Sequence, residues 1–190
     1  MIILVVLLAL LAVAVVYLIG IYNSLVNLRE GVKVSWANID VLLKQRHDEL
    51  PKLIDTCKRY MQFEQETLEK VMRARNSVMQ AQATGDVAGV GAAEQRLRLG
   101  MGRLFAVAEN YPQLKSDATF RDLQTRITIL EESVADRREL YNEQVNLNNI
   151  RVQVFPDSLV AGWCGFRSAH LLEFAAQEKA DVDVGALFKA

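Results

Sequence analysis

The stretch that decides the fold is IILVVLLALLAVAVVYLIGI, residues 2–21. Every position in it is apolar apart from Tyr17 and Gly20. At about 1.5 Å of rise per residue, a helix of this length covers the roughly 30 Å hydrocarbon core of a bilayer. A run this long without a charge is too apolar on all sides for the half-buried helix of a soluble domain, so it reads as a membrane span. Ile2, Leu7, Leu11, Val16, Tyr17 and Ile21 mark the anchor, with Tyr17 and Tyr22 near the exit, where amphipathic rings favour the interface. A cleaved secretory signal would start with basic residues and place a small-x-small site before a polar shift. Ala12-Val13-Ala14 has that form, but the apolar run continues past it to Ile21. The segment is expected to be retained as an anchor over residues 1–22.

Outward from the span, charge and composition narrow the classes. Arg29, Lys33, Lys44 and Arg46 all follow the segment, which by the positive-inside rule places what comes next in the cytoplasm. The remainder of the 190 residues suffices for one ordinary domain. A net charge of -1 provides no basic field, so nucleic acid is not an expected partner. Glycine and proline number only 10 and 3, and period-two strand patterns are missing after the span, so the soluble part is read as all-α.

Helical periodicity starts at once, with Leu25, Leu28, Val32, Trp36, Ile39 and Leu43 spaced by three or four. Pro51 removes a backbone donor, which predicts a kink or short break at residues 48–51. The stripe resumes through Leu53, Ile54, Cys57, Tyr60, Met61, Leu68, Val71 and Val78 and fades at residues 83–91. Residues 90–110 read as a further helix despite Gly100 and Gly102, which are taken to permit close helix contact. A connection over 110–119 offers Ser116 or Asp117 as cap for the next helix, whose stripe is Phe120, Leu123, Ile127, Leu130, Val134 and Leu140. That helix extends to Phe155, where Pro156 ends it. A short amphipathic helix is expected from Asp157 to about Gln177, and a tail over 179–190. Long helices with short connections predict an antiparallel up-and-down bundle of about four long helices over residues 23–178.

Six ordered strings carry a family resemblance: YNSLVNLRE (22–30), WANIDVLLKQRHDELPKLIDTCKRY (36–60), ENYPQLK (109–115), FRDLQ (120–124), ELYNEQVNLNN (139–149) and FPDSLVAGWCGF (155–166). Together they resemble the LemA family of bacterial membrane proteins, from the membrane exit almost to the C-terminus. The resemblance implies an anchor followed by a four-helix-type bundle in the bacterial inner membrane. It carries no established activity, and it links relatives with membrane organisation, including organelle formation in magnetotactic bacteria. Cys57 and Cys164 look like local choices of this chain.

Candidate chemistry is thin. His47, Asp48 and Glu49, with Asp40 on the same helical face as His47, are read as solvated residues near the kink rather than metal ligands. His170 is read as packed or interfacial. The two cysteines have no companion of the kind nucleophilic or zinc chemistry requires, and GxSxG, HExxH and phosphate-loop motifs are missing. No cofactor and no catalytic or metal residue is therefore assigned, and the chain is expected not to be an enzyme. Asn23, Asp40, Arg46, Asn142 and Asn149 are singled out as buried polar or intersubunit residues, because apolar packing alone does not demand them. Trp163 and Phe166, flanked by Arg167, are candidate membrane or partner contacts. The expected function is a membrane-anchored scaffold or adaptor that forms a homo-oligomer and engages membrane lipid and a further membrane protein. The alternatives are a lipid-binding, membrane-remodelling module that uses the last helix, and a cryptic metal-dependent enzyme.

Overall fold

A computed structural model describes residues 1–173, which form six helices: α1 (Ile2–Lys58), α2 (Gln65–Thr84), α3 (Val87–Ala108), α4 (Pro112–Ser116), α5 (Ala118–Gln153) and α6 (Asp157–Cys164). No strand occurs among the described residues, so the chain is all-α, with one helix long and apolar enough to cross a membrane. The contacts divide the chain into two compact units. The first comprises Met1–Leu43 and Glu131–Leu171, the second Lys44–Leu130 and the residues from Leu172 onward.

In the first unit, α1 and the second half of α5 run antiparallel. Trp36 meets Tyr141 with ring centroids 5.5 Å apart, and Gln144 lies beside Gly31, where an added Cβ would come within 3.0 Å of its Oε1. The core at the opposite end of this pairing gathers Ile21, Leu25, Val160, Ala161 and Phe166, with Val26 and Val152 against it. The periodic positions Leu25, Ile39 and Leu43 are buried as the stripe predicted. Residues 2–19, by contrast, present exposed side chains throughout. In water that surface would be very costly, and a bilayer removes the cost.

The second unit is built on a helical hairpin. Asp86 opens α3 by accepting a hydrogen bond from the Gly89 backbone N–H at 2.9 Å, and α3 folds back on α2. Leu68, Val71 and Val78 of α2 and Ala93, Leu97, Met101 and Leu104 of α3 share a core with Leu50, Leu53, Ile54 and Cys57 of α1 and with Phe120, Leu123 and Ile127 of α5. The contact that needs glycine lies at Gly91, where a Cβ would sit 2.3 Å from the Glu173 carbonyl oxygen. Gly100 abuts Val71 at an ordinary 3.4 Å, and Gly102 faces open space, so only the former bears on helix packing.

Two boundaries depart from the sequence expectation. α1 continues through Pro51 without a break, because the carbonyl that proline orphans, that of His47, accepts instead from Arg75 Nε of α2 at 3.0 Å. The chain turns later, between Lys58 and Gln65. That turn is pinned by the fully buried Met61, by Tyr60 Oη donating to Asp117 at 2.9 Å, and by Tyr111 Oη reaching Glu64. The last helix is also shorter than expected. Gly165 at φ 74° adopts the left-handed conformation that closes α6 after eight residues, and residues 166–173 are not helical. The expected continuation beyond Glu173 and the tail over 179–190 lie outside the described residues.

Candidate functional site

The anchor residues Ile2, Leu7, Leu11, Val16 and Tyr17 are all exposed on α1, while Ile21 is buried in the core of the first unit. Ile21 therefore marks the level at which the apolar run passes from an unpacked surface to protein contacts. Around that level the chain reverses. α5 ends at Gln153, the cis Phe155–Pro156 bond follows, and α6 brings Val160 and Ala161 into the cluster with Ile21 and Leu25. Arg151 of α5 neutralises the buried Asp157 in the first turn of α6, with Nε 2.6 Å from Oδ2.

The candidate contact residues separate here. Phe166 turns inward: its ring meets Tyr22 edge-on at 5.7 Å, and the Arg29 guanidinium lies 5.2 Å above its centroid. Trp163 turns outward and is 89% exposed, in line with Leu159 one helical turn earlier and with Phe155 just before α6. Arg167 is exposed on the segment that follows.

That segment is held by side-chain amides and a phenol of α5. Asn149 clasps Ala169 from both sides, donating to its carbonyl at 2.9 Å and accepting from its N–H at 2.8 Å. Asn148 donates to the Arg167 carbonyl at 3.3 Å, and Tyr141 Oη donates to that of His170 at 2.9 Å. Burial pushes the Tyr141 phenol above its ordinary pKa, so it stays a donor. Asn149 thus serves an extended stretch whose backbone has no helical partners of its own. Asn148 and Tyr141 act in the same way without having been singled out. Their only sequence signal was their place in the ELYNEQVNLNN string, because the strand-like partner cannot be read from a helical period.

Of the other polar candidates, Arg46 is buried in the second unit and ion-paired with Glu94 of α3, both side chains being 4% exposed. Asn23 and Asp40 lie on exposed positions of α1, and Asn142 is half-buried on α5. His47 is half-buried, and burial, followed by the nearby Arg75 charge, pulls its pKa below the usual histidine value. His170 is exposed and non-helical, and Cys57 is buried and Cys164 exposed. Among the described residues no three His, Cys, Asp or Glu side chains converge as metal ligands. An apolar cleft of about 680 Å³ in the second unit opens between the end of α1 and α2, walled by Ile54, Met61, Leu68 and Met72 and edged by the exposed Phe63.

Comparison with known proteins gives these features a family. Magnetosome proteins MamQ 2 and MamQ 1 of Paramagnetospirillum magneticum are each 24% identical to this chain over 177 residues, covering 80% of it and 64% of their own length. Protein LemA of Metamycoplasma hominis is 24% identical over 171 residues, covering 89% of this chain and 76% of its own. The chain thus spans just under two thirds of the magnetosome relatives it matches. None of these names is that of an enzyme, and the exposed apolar helix fits a membrane protein. The sequence model of the LemA family matches residues 35–185, nearly all that follows the membrane exit, and the chain belongs to that family.

Proposed function

We propose that this protein is a non-enzymatic, membrane-anchored scaffold that self-associates along α5 and organises other membrane proteins. The observation that carries the reading is an apolar seam left open on α5. Leu140, Leu147 and Val154 follow one another at seven-residue intervals with Ile150 between the last two, and all four are exposed. This is the spacing of a coiled-coil face, with Glu143 as the polar interruption. A retained anchor strengthens the reading, since α1 runs unbroken from the apolar segment into the packed residues. Anchoring confines copies to two dimensions and raises their effective concentration, so a modest seam suffices for association. The basic residues after the span, Arg29 and Lys33, favour the cytoplasmic face of the inner membrane for the helical units, although Glu30 pairs with both. The magnetosome relatives support a role in arranging membrane proteins.

Disulfide trapping in native membranes tests the self-association. In a Cys164→Ser background, Leu147→Cys is expected to give an oxidised dimer on mild oxidation, whereas a cysteine at the exposed Gln65 is not. Cys57 is buried and stays silent. Strictly monomeric protein at Leu147 and at Ile150→Cys, in membranes and in mild detergent, overturns self-association. Crosslinking followed by identification of the captured membrane proteins tests the organising role.

A further inference from the structure

α6 has apolar residues on two faces, and only one of them is used. Val160 and Ala161 pack into the cluster with Ile21 and Leu25, while Leu159 and Trp163 project away with exposures of 66% and 89%. Phe155, 76% exposed, extends this outer surface at the turn before the helix. Tryptophan is among the largest apolar side chains, and one left this open has a partner beyond the described residues.

The height of this surface along α1 identifies the partner. α5 climbs antiparallel beside α1, with Tyr141 at Trp36, Gln144 at Gly31 and Val152 in the cluster with Ile21 and Leu25. The next residues, Val154 and Phe155, therefore arrive where the exposed apolar run of α1 ends, and α6 starts from there. The outer face of α6 is continuous with the lipid-facing surface of α1. Its one acid, Asp157, is buried and neutralised by Arg151, so no carboxylate opposes entry into the headgroup zone. An indole beside aliphatic side chains suits that zone, where one edge is apolar and the N–H is wet.

We infer that α6 is an interfacial foot: Leu159, Trp163 and Phe155 bed into the headgroup layer of the same bilayer that α1 crosses. The inference rests on α1 being membrane-spanning. Two attachment points fix the first unit against the membrane plane, which a single helix leaves free to rotate and tilt.

The test uses the full chain with Trp36→Phe, so that Trp163 is the sole tryptophan, reconstituted into vesicles of phosphatidylethanolamine and phosphatidylglycerol. Should that variant fold poorly, the difference in emission between the native chain and Trp163→Phe reports the same residue. Trp163 is expected to emit at blue-shifted wavelengths and to resist aqueous acrylamide. It is also expected to lose most of its emission to lipids brominated near the headgroup, and less to lipids brominated deep in the acyl chain. Blue-shifted emission insensitive to brominated lipid means that protein, from a second copy or elsewhere in the chain, covers the face, and it overturns the inference. So does emission freely quenched by acrylamide while the protein resists alkaline carbonate, an outcome that leaves the spanning reading intact. Release by carbonate overturns the spanning reading and the inference together.

Discussion

At the scale of single residues, the second unit holds its most consequential pair at Arg46 and Glu94, 48 positions apart and both 4% exposed. Two buried charges support the fold only as a pair, because either one alone keeps its desolvation penalty and loses its counter-charge. Glu94→Leu is therefore expected to destabilise by about 3–5 kcal/mol, while Arg46→Met combined with Glu94→Leu recovers most of that loss. Far-UV circular dichroism of the full chain in detergent, followed through urea unfolding, measures both. The cysteines separate in the same spirit. Burial pushes the Cys57 thiol up to about 12, so at pH 8 it carries almost no thiolate, whereas Cys164 is exposed. Ellman's reagent is expected to titrate one thiol in the folded protein and two after denaturation. These details differed in how far the sequence disclosed them. Arg46 stood out as a charge on an apolar stripe, but Glu94 did not. A glutamate in a helical run is ordinarily a solvated residue, and no local period marks a partner so distant along the chain.

At the scale of elements, the fate of Pro51 shows why a local rule can be right in its physics and wrong in its outcome. Proline does orphan the His47 carbonyl, but Arg75 of α2 occupies it, so the helix has no reason to end there. Removing the guanidinium by Arg75→Leu is expected to cost about 1 kcal/mol in the native chain. In a Pro51→Ala background that cost shrinks, because alanine restores the backbone donor to the same carbonyl. A double-mutant cycle by urea unfolding reads the difference, and equal costs in both backgrounds would refute this account. The start of α5 followed its local rule. Asp117 accepts from the Phe120 N–H at 3.0 Å, as a capping residue should, and also from Tyr60. The backbone bond from Phe120, followed by the Tyr60 hydroxyl, lowers the Asp117 pKa below its ordinary 3.8. A depressed carboxyl contributes stability that is present above its unfolded pKa and lost as pH falls through the folded value. Asp117→Asn is expected to flatten the acid side of the stability profile below about pH 4. Caps act within four residues and are legible. Long-range substitutes such as Arg75, and the Tyr60 and Met61 contacts that displace the turn to residues 59–64, need the packed structure.

At the scale of the whole molecule, the anchor and the all-α class were legible because each rests on a pattern repeated over many residues. The division into two units was not, since Leu43 and Leu50 fall in different units but continue one apolar stripe along α1. The seam on α5 was hidden for the same reason. Leu140 and Ile150 belong to the periodic pattern of their helix, and only burial tells which apolar side chains are spent on the core and which remain open. Residues 2–19 make the complementary case, as their side chains are exposed and contribute nothing to either core. Attachment and folding should therefore be separable. Lysines at Leu8 and Leu11 each oppose insertion by about 2.5–3.5 kcal/mol at the centre of a span. Together they are expected to turn a carbonate-resistant membrane protein into an extractable one. The urea midpoint of the helical units, read at the near-UV bands of Trp36 and Tyr141, is expected to stay where it is. A shifted midpoint would mean that the run packs against the helical units. Persistent carbonate resistance with an unchanged midpoint would move the anchor away from residues 2–21.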